Sequence, residues 1–144
     1  MSVSISRNGL HLVVGAPQRS TLNVSVYTFT GTWNSVGFAI SGVLNGQLGY
    51  SVDIADNGQR IVVGSIVNSN NGGGTNESVR VYEFGGVLWE LLGSVQNGDA
   101  NSDEFGTAVS ITVDGNTIAG SGIKHDGGAA DAGYVKIFKY NGVD

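Results

Sequence analysis

Ser51-Val52-Asp53-Ile54-Ala55-Asp56-Asn57-Gly58, followed by Ile61-Val62-Val63-Gly64-Ser65-Ile66, is the stretch on which the fold turns. Val52 and Ile54 alternate with polar or small neighbours, the two-residue period of a strand with unlike faces. Asn57-Gly58 then supplies central residues that tolerate positive φ, as a two-residue hairpin requires. The returning run Ile61-Val62-Val63 is continuously apolar, the pattern of a strand covered on both faces.

The same phrase stands on either side. Upstream it reads Ser2-Val3-Ser4-Ile5-Ser6-Arg7-Asn8-Gly9, then Leu12-Val13-Val14-Gly15-Ala16-Pro17. Downstream it reads Ala108-Val109-Ser110-Ile111-Thr112-Val113-Asp114-Gly115, then Ile118-Ala119-Gly120-Ser121-Gly122. Val3 to Val52 is a step of 49 residues and Val52 to Val109 a step of 57. A second block follows each copy: Val24 to Phe29, Val79 to Phe84 and Val135 to Tyr140, with aromatics at every second place near its end. Trp33 and Trp89 then open a fourth strand, whereas the third copy reaches Asn141-Gly142 without one. No segment shows a capped 3.6-residue period. The chain is predicted to be all-β, with three repeats of four antiparallel strands and the last repeat incomplete: 2–50, 51–107 and 108–144.

Four-stranded units in series are the blades of a β-propeller. Phe105-Gly106, Val109-Ser110-Ile111, Asp114-Gly115 and the run Val13 to Pro17 together resemble the FG-GAP repeats of integrin α-subunit-type propellers. The resemblance covers essentially the whole chain, with Leu48-Gly49 standing for Phe-Gly and Gly64-Ser65-Ile66 for Gly-Ala-Pro in the second copy. No Gly-His and Trp-Asp pair or Gly-Gly doublet recurs in phase, as other propeller families would need. The resemblance implies a non-enzymatic structural or adhesion protein, extracellular or at the cell surface, with blades as a rigid scaffold for protein or glycan contacts. The alternative is a carbohydrate-type ligand-binding module of a larger enzyme or receptor. It also implies Ca²⁺ between the Phe-Gly and Gly-Ala-Pro elements. Here those loops are the short hairpins at Asn8-Gly9, Asn57-Gly58 and Asp114-Gly115, which lack the six to eight oxygens Ca²⁺ takes.

Composition narrows the partners. The 144 residues carry a net charge of −5 with only seven Lys and Arg, scattered singly, which excludes the basic stripe of a nucleic-acid binder. No apolar run is long enough for a membrane-spanning helix, so no membrane insertion is expected. There is no Cys, hence no disulfide or thiolate metal site. Met1-Ser2-Val3 already belongs to the first unit, so no signal peptide is visible. The 24 glycines suit many tight turns, because Gly reaches positive φ without steric cost.

Propellers have about four to eight blades, so this chain is expected to belong to a larger or assembled propeller. An open stack exposes apolar end faces that soluble monomers seldom tolerate. The expectations are a piece of a longer ring, closure by self-association, or a head-to-tail filament. An incoming strand would complete the last blade by β-addition.

Candidate chemistry is sparse. Asp99, Asn101 and Asp103 have the alternate spacing of the first ligands of a calcium loop, against a plain polar loop as the other reading. Asn23-Val24-Ser25 and Asn76-Glu77-Ser78 fit the N-glycan acceptor pattern if a eukaryote secretes the protein; the other reading is chance. His11 and His125 are expected as surface histidines. Asp126 and Asp131 are the one imaginable acid–base pair, with nothing to shift either carboxyl. The phased aromatics are expected to pack between blades rather than to stack on glycans. The loops 18–22, 67–78 and 124–133 differ most between copies and are expected to form one recognition rim.

Overall fold

The computed structural model describes residues 1–18, 23–42, 46–67, 77–100, 103–126, 129 and 131–142. Among them there is no helix. Eleven strands form three separate antiparallel sheets, none closed into a barrel. The first holds β1 (Ser2–Ile5), β2 (His11–Gly15), β3 (Val24–Phe29) and β4 (Trp33–Ser35) in sequential order. The second holds β5 (Gly46–Ile54), β6 (Arg60–Val67), β7 (Ser78–Phe84) and β8 (Trp89–Asn97), again sequential. The third holds β9 (Ala108–Ile111), β10 (Thr117–Gly122) and β11 (Tyr134–Lys139), so it has three strands. These are the blade-like sheets of a partial propeller, the third with three strands among the described residues.

The hairpins form where the Asn-Gly and Asp-Gly pairs stand. Gly9, Gly58 and Gly115 have φ of 73°, 69° and 73°, the left-handed conformation that a side chain would oppose. One boundary moves. The second sheet starts at Gly46 rather than Ser51, because β5 pairs with β6 from Gly46↔Val67 onward. A bulge between Leu48 and Ser51 takes up the extra residues and leaves Gly49 at φ 85°.

The central sheet is covered on both sides. Ile61, Val62 and Val63 are all fully buried, as the unbroken apolar run predicts. Val63 and Ile61 face the first sheet with Val13, Val24, Val26 and Trp89. Val62 faces the third with Val79, Phe105 and Ile118. In the first sheet only Val13 of the equivalent run is fully buried, since Leu12 and Val14 look outward. Both end faces are open and apolar: Val3 and Ile5 are exposed on one, Val135 and Ile137 on the other.

Candidate functional site

Two sets of contacts repeat between sheets, and each joins residues at equivalent places of the repeat. Ser2 Oγ donates to Gly49 O at 2.9 Å, and Ser51 Oγ donates to Gly106 O at 2.7 Å. Beneath each carbonyl lies a glycine of the same sheet as the serine. A Cβ on Gly15 would stand 2.1 Å from Gly49 O, and one on Gly64 2.1 Å from Gly106 O. On the opposite end of the sheets, His11 lies over Gly58 and Arg60 over Gly115. Arg60 Nη1 also donates to Asn116 Oδ1 at 2.6 Å, and its Nε pairs with Glu83 at 2.7 Å.

Asp53 joins all three sheets. Its Oδ1 accepts from Ser4 Oγ at 2.6 Å, and its Oδ2 from Ser110 Oγ at 3.2 Å and Ile111 N at 2.9 Å. Ser4, Asp53 and Ser110 are the same position of the three repeats. One carboxylate between two hydroxyls therefore pins the innermost strands together.

The densest group of titratable side chains lies where the β8–β9 connection meets the β10–β11 connection. Asp103 is 3% exposed. Its Oδ2 accepts from Ala100 N at 2.8 Å and from Tyr134 OH at 3.2 Å, and His125 Nδ1 stands 3.2 Å from both oxygens. Burial pushes this carboxyl up, but those hydrogen bonds and the neighbouring imidazole outweigh it and hold the group below the ordinary aspartate range. Tyr134 stacks on the buried ring of Phe105 at 5.7 Å, and the His125 ring meets it edge-on at 4.8 Å. Its phenol is pushed up to about 12, chiefly by burial and then by the charge of Asp103. Glu77 is buried beside this group and accepts from Glu104 N at 2.9 Å. Burial first, then the charges of Glu104 and Asp103, raise its carboxyl above the usual value. Lys124 pairs with Glu104 at 2.5 Å on the outside.

Chemically this arrangement is a clasp. The aspartate fixes the imidazole and the phenol, the phenol accepts from Asp99 N at 3.1 Å, and two long connections are tied to one buried ring. The Asp–His pair has the geometry of the orienting half of a triad, with the carboxylate fixing one ring nitrogen.

Two of the three calcium candidates have partners in the structure. Asp99 pairs with Lys136 at 2.5 Å and Asp103 is taken by the clasp, so the two carboxylates serve different partners; Asn101 lies outside the described residues. Among the described residues no three His, Asp or Glu side chains converge as metal ligands. Asn23 does not fit a glycan acceptor. It is 3% exposed, its Oδ1 accepts from Gly42 N at 2.7 Å and its Nδ2 faces Ala16 O at 3.4 Å, so the nitrogen that would carry a sugar lies inside. Asn76 lies outside the described residues.

Neither histidine is a plain surface residue, since His11 covers Gly58 and His125 is held by Asp103. Asp126 accepts from Asp131 N at 2.9 Å, a loop contact rather than an acid–base pair. The aromatics pack between sheets as expected, Tyr82, Phe84 and Trp89 against the first sheet and Tyr134 and Phe138 against the second, and two pairs also meet within a sheet, Phe29–Trp33 at 5.4 Å and Phe84–Trp89 at 5.3 Å. Asp53 and Tyr134 escape motif reading. Asp53 had one visible signal: it is the lone acid where both other copies have serine. No protein-family profile matches this chain, and no curated protein matches it by sequence.

Proposed function

We propose that the chain is a non-enzymatic scaffold of structural or adhesive kind, working at the cell surface or outside the cell through contacts with proteins or glycans. The observation that carries this reading is the use made of the polar groups. Asp53 and Arg60 bond across neighbouring sheets, and Asp103 ties the β8–β9 connection to β11 and the β10–β11 connection. Such bonds stiffen a stack of blades and leave its connections free to vary, the division of labour of a binding scaffold. The likeness to FG-GAP repeats supports the same reading, as an analogy of fold.

The test is saturable binding of the labelled chain to arrays of glycans and matrix proteins, repeated with the 124–133 connection replaced by a Gly-Ser linker. Binding that disappears with the linker is the expected result. Turnover of a hydrolase substrate that is lost in His125→Ala would overturn the reading and make the Asp103–His125 pair an active site.

A further inference from the structure

We propose that the groove between the second and third sheets is an acceptor for a tryptophan-led β-strand that residues 1–142 do not supply. The inference is independent of the rim reading above, because it rests on the internal repeat.

The template is the interface one sheet earlier. Trp89, the first residue of β8, is 9% exposed and packs 5.3 Å from Phe84. Its Nε1–H donates to Val36 O at 2.9 Å. Gly37, at φ 66°, makes room: a Cβ there would stand 2.8 Å from the Phe84 ring and 3.4 Å from the indole. One repeat on, Leu92, Gly93 and Tyr140 take the places of Val36, Gly37 and Phe84, and Gly93 has the matching φ of 68°. They line an open groove of about 380 Å³ together with Phe138 and Ile118. The indole's place is formed, and no indole fills it.

The backbone is prepared as well. β11 ends its sheet, at the edge that β4 and β8 cover in the other two. Gly142 has φ 95°, against 97° at Gly31 and 93° at Gly86, the turns from which β4 and β8 start. A free edge supplies main-chain hydrogen bonds and the adjoining groove selects a side chain, the two halves of strand addition. The groove continues the buried interface of Val62, Val79 and Ile118, so a strand seated there extends a core already in place. A second copy is the weaker donor, because both of its tryptophan-led strands are already bound in sheets.

The probe is a peptide with the sequence of residues 86–97, titrated into the isotope-labelled chain and followed by amide chemical shifts. Saturable shifts at Leu92, Gly93, Tyr140 and the β11 amides are expected. The peptide carrying Trp89→Ala should bind at least about tenfold more weakly, as for a buried aromatic anchor. Leu92→Arg in the chain, a half-buried position, should weaken the intact peptide to a similar degree. No shifts at millimolar peptide, equal binding of the alanine peptide, or shifts confined to Val3 and Ile5 on the opposite face would each overturn the proposal. So would a dimer in light scattering that Leu92→Arg dissolves, which would make a second copy the occupant.

Discussion

Ser51 Oγ donates a 2.7 Å hydrogen bond to the carbonyl oxygen of Gly106, and that oxygen rests directly on Gly64. The same three roles recur as Ser2, Gly49 and Gly15 one sheet earlier. They change in the third sheet, where Ala108 stands for the serine and Ser121 for the supporting glycine. A Cβ at either supporting glycine would stand 2.1 Å from the incoming oxygen, so the open face of the third sheet cannot take another blade with this geometry. A head-to-tail neighbour would therefore have to meet Ser121 in a different geometry.

Gly64→Ala should consequently destabilise the chain by about 1–3 kcal/mol or more, the range of overpacking in a tight interior. Ser121→Ala, at the equivalent place with no carbonyl resting on it, removes only the acceptor of an exposed bond from Ala108 N and should cost less than Gly64→Ala, about 1 kcal/mol at most. Urea unfolding of the two variants checks the contrast. Equal losses would mean that the latch does not hold the sheets.

Asp53→Ala removes the acceptor for Ser4, Ser110 and Ile111 N at once. Leaving such donors unpaired costs about 1–3 kcal/mol. The expected result is a lower urea midpoint with faster amide exchange at Ile111, while the β3–β4 hairpin, remote from the bond, keeps its protection.

Glu77 has its carboxyl raised above 4.5 by burial and by the acids around it. A raised carboxyl favours the protonated form in the fold. Its contribution is full below the unfolded value and is lost as pH rises through the folded one. Glu77→Gln should therefore melt higher than the wild type at neutral pH, and the difference should vanish below about 4.5. A constant gap across that range would contradict the assignment.

Asp114 behaves in the opposite sense. The Thr112 hydroxyl first, then the backbone and side chain of Asn116, hold it at about 2 against an ordinary 3.8. A lowered carboxyl gives stability that is present above 3.8 and is lost as pH falls from there toward 2. Asp114→Asn should flatten that part of the acid limb in a thermal-melting series.

Tyr134→Phe deletes the hydroxyl shared by Asp103 and Asp99 N. The stability loss should be about 1–3 kcal/mol. In an absorbance titration the phenolate step near 12 should disappear with it. Survival of that step would place the high-titrating phenol elsewhere.

Much of the fold was legible because its signals are local. Asn57-Gly58 dictates a hairpin through the φ that glycine permits, and Ile61-Val62-Val63 reads as doubly covered because no polar side chain interrupts it. The bulge in β5 was not legible, since Gly49 is needed there for its approach to Gly15, far away in sequence. The site was harder still. Asp103 looked like one of three spaced oxygens, and only the distant His125 and Tyr134 make it the centre of a clasp. Asn23 matched an acceptor pattern that spans three residues and carries no information about burial.

The sequence by itself determined the strands, their turns and the threefold repeat, because period and turn propensity act over a few neighbouring residues. Tertiary structure alone decided which serine meets which glycine, how one aspartate serves three sheets, and where an indole-shaped groove stands open. Those contacts join residues about fifty positions apart, and their geometry exists only once the sheets have packed face to face.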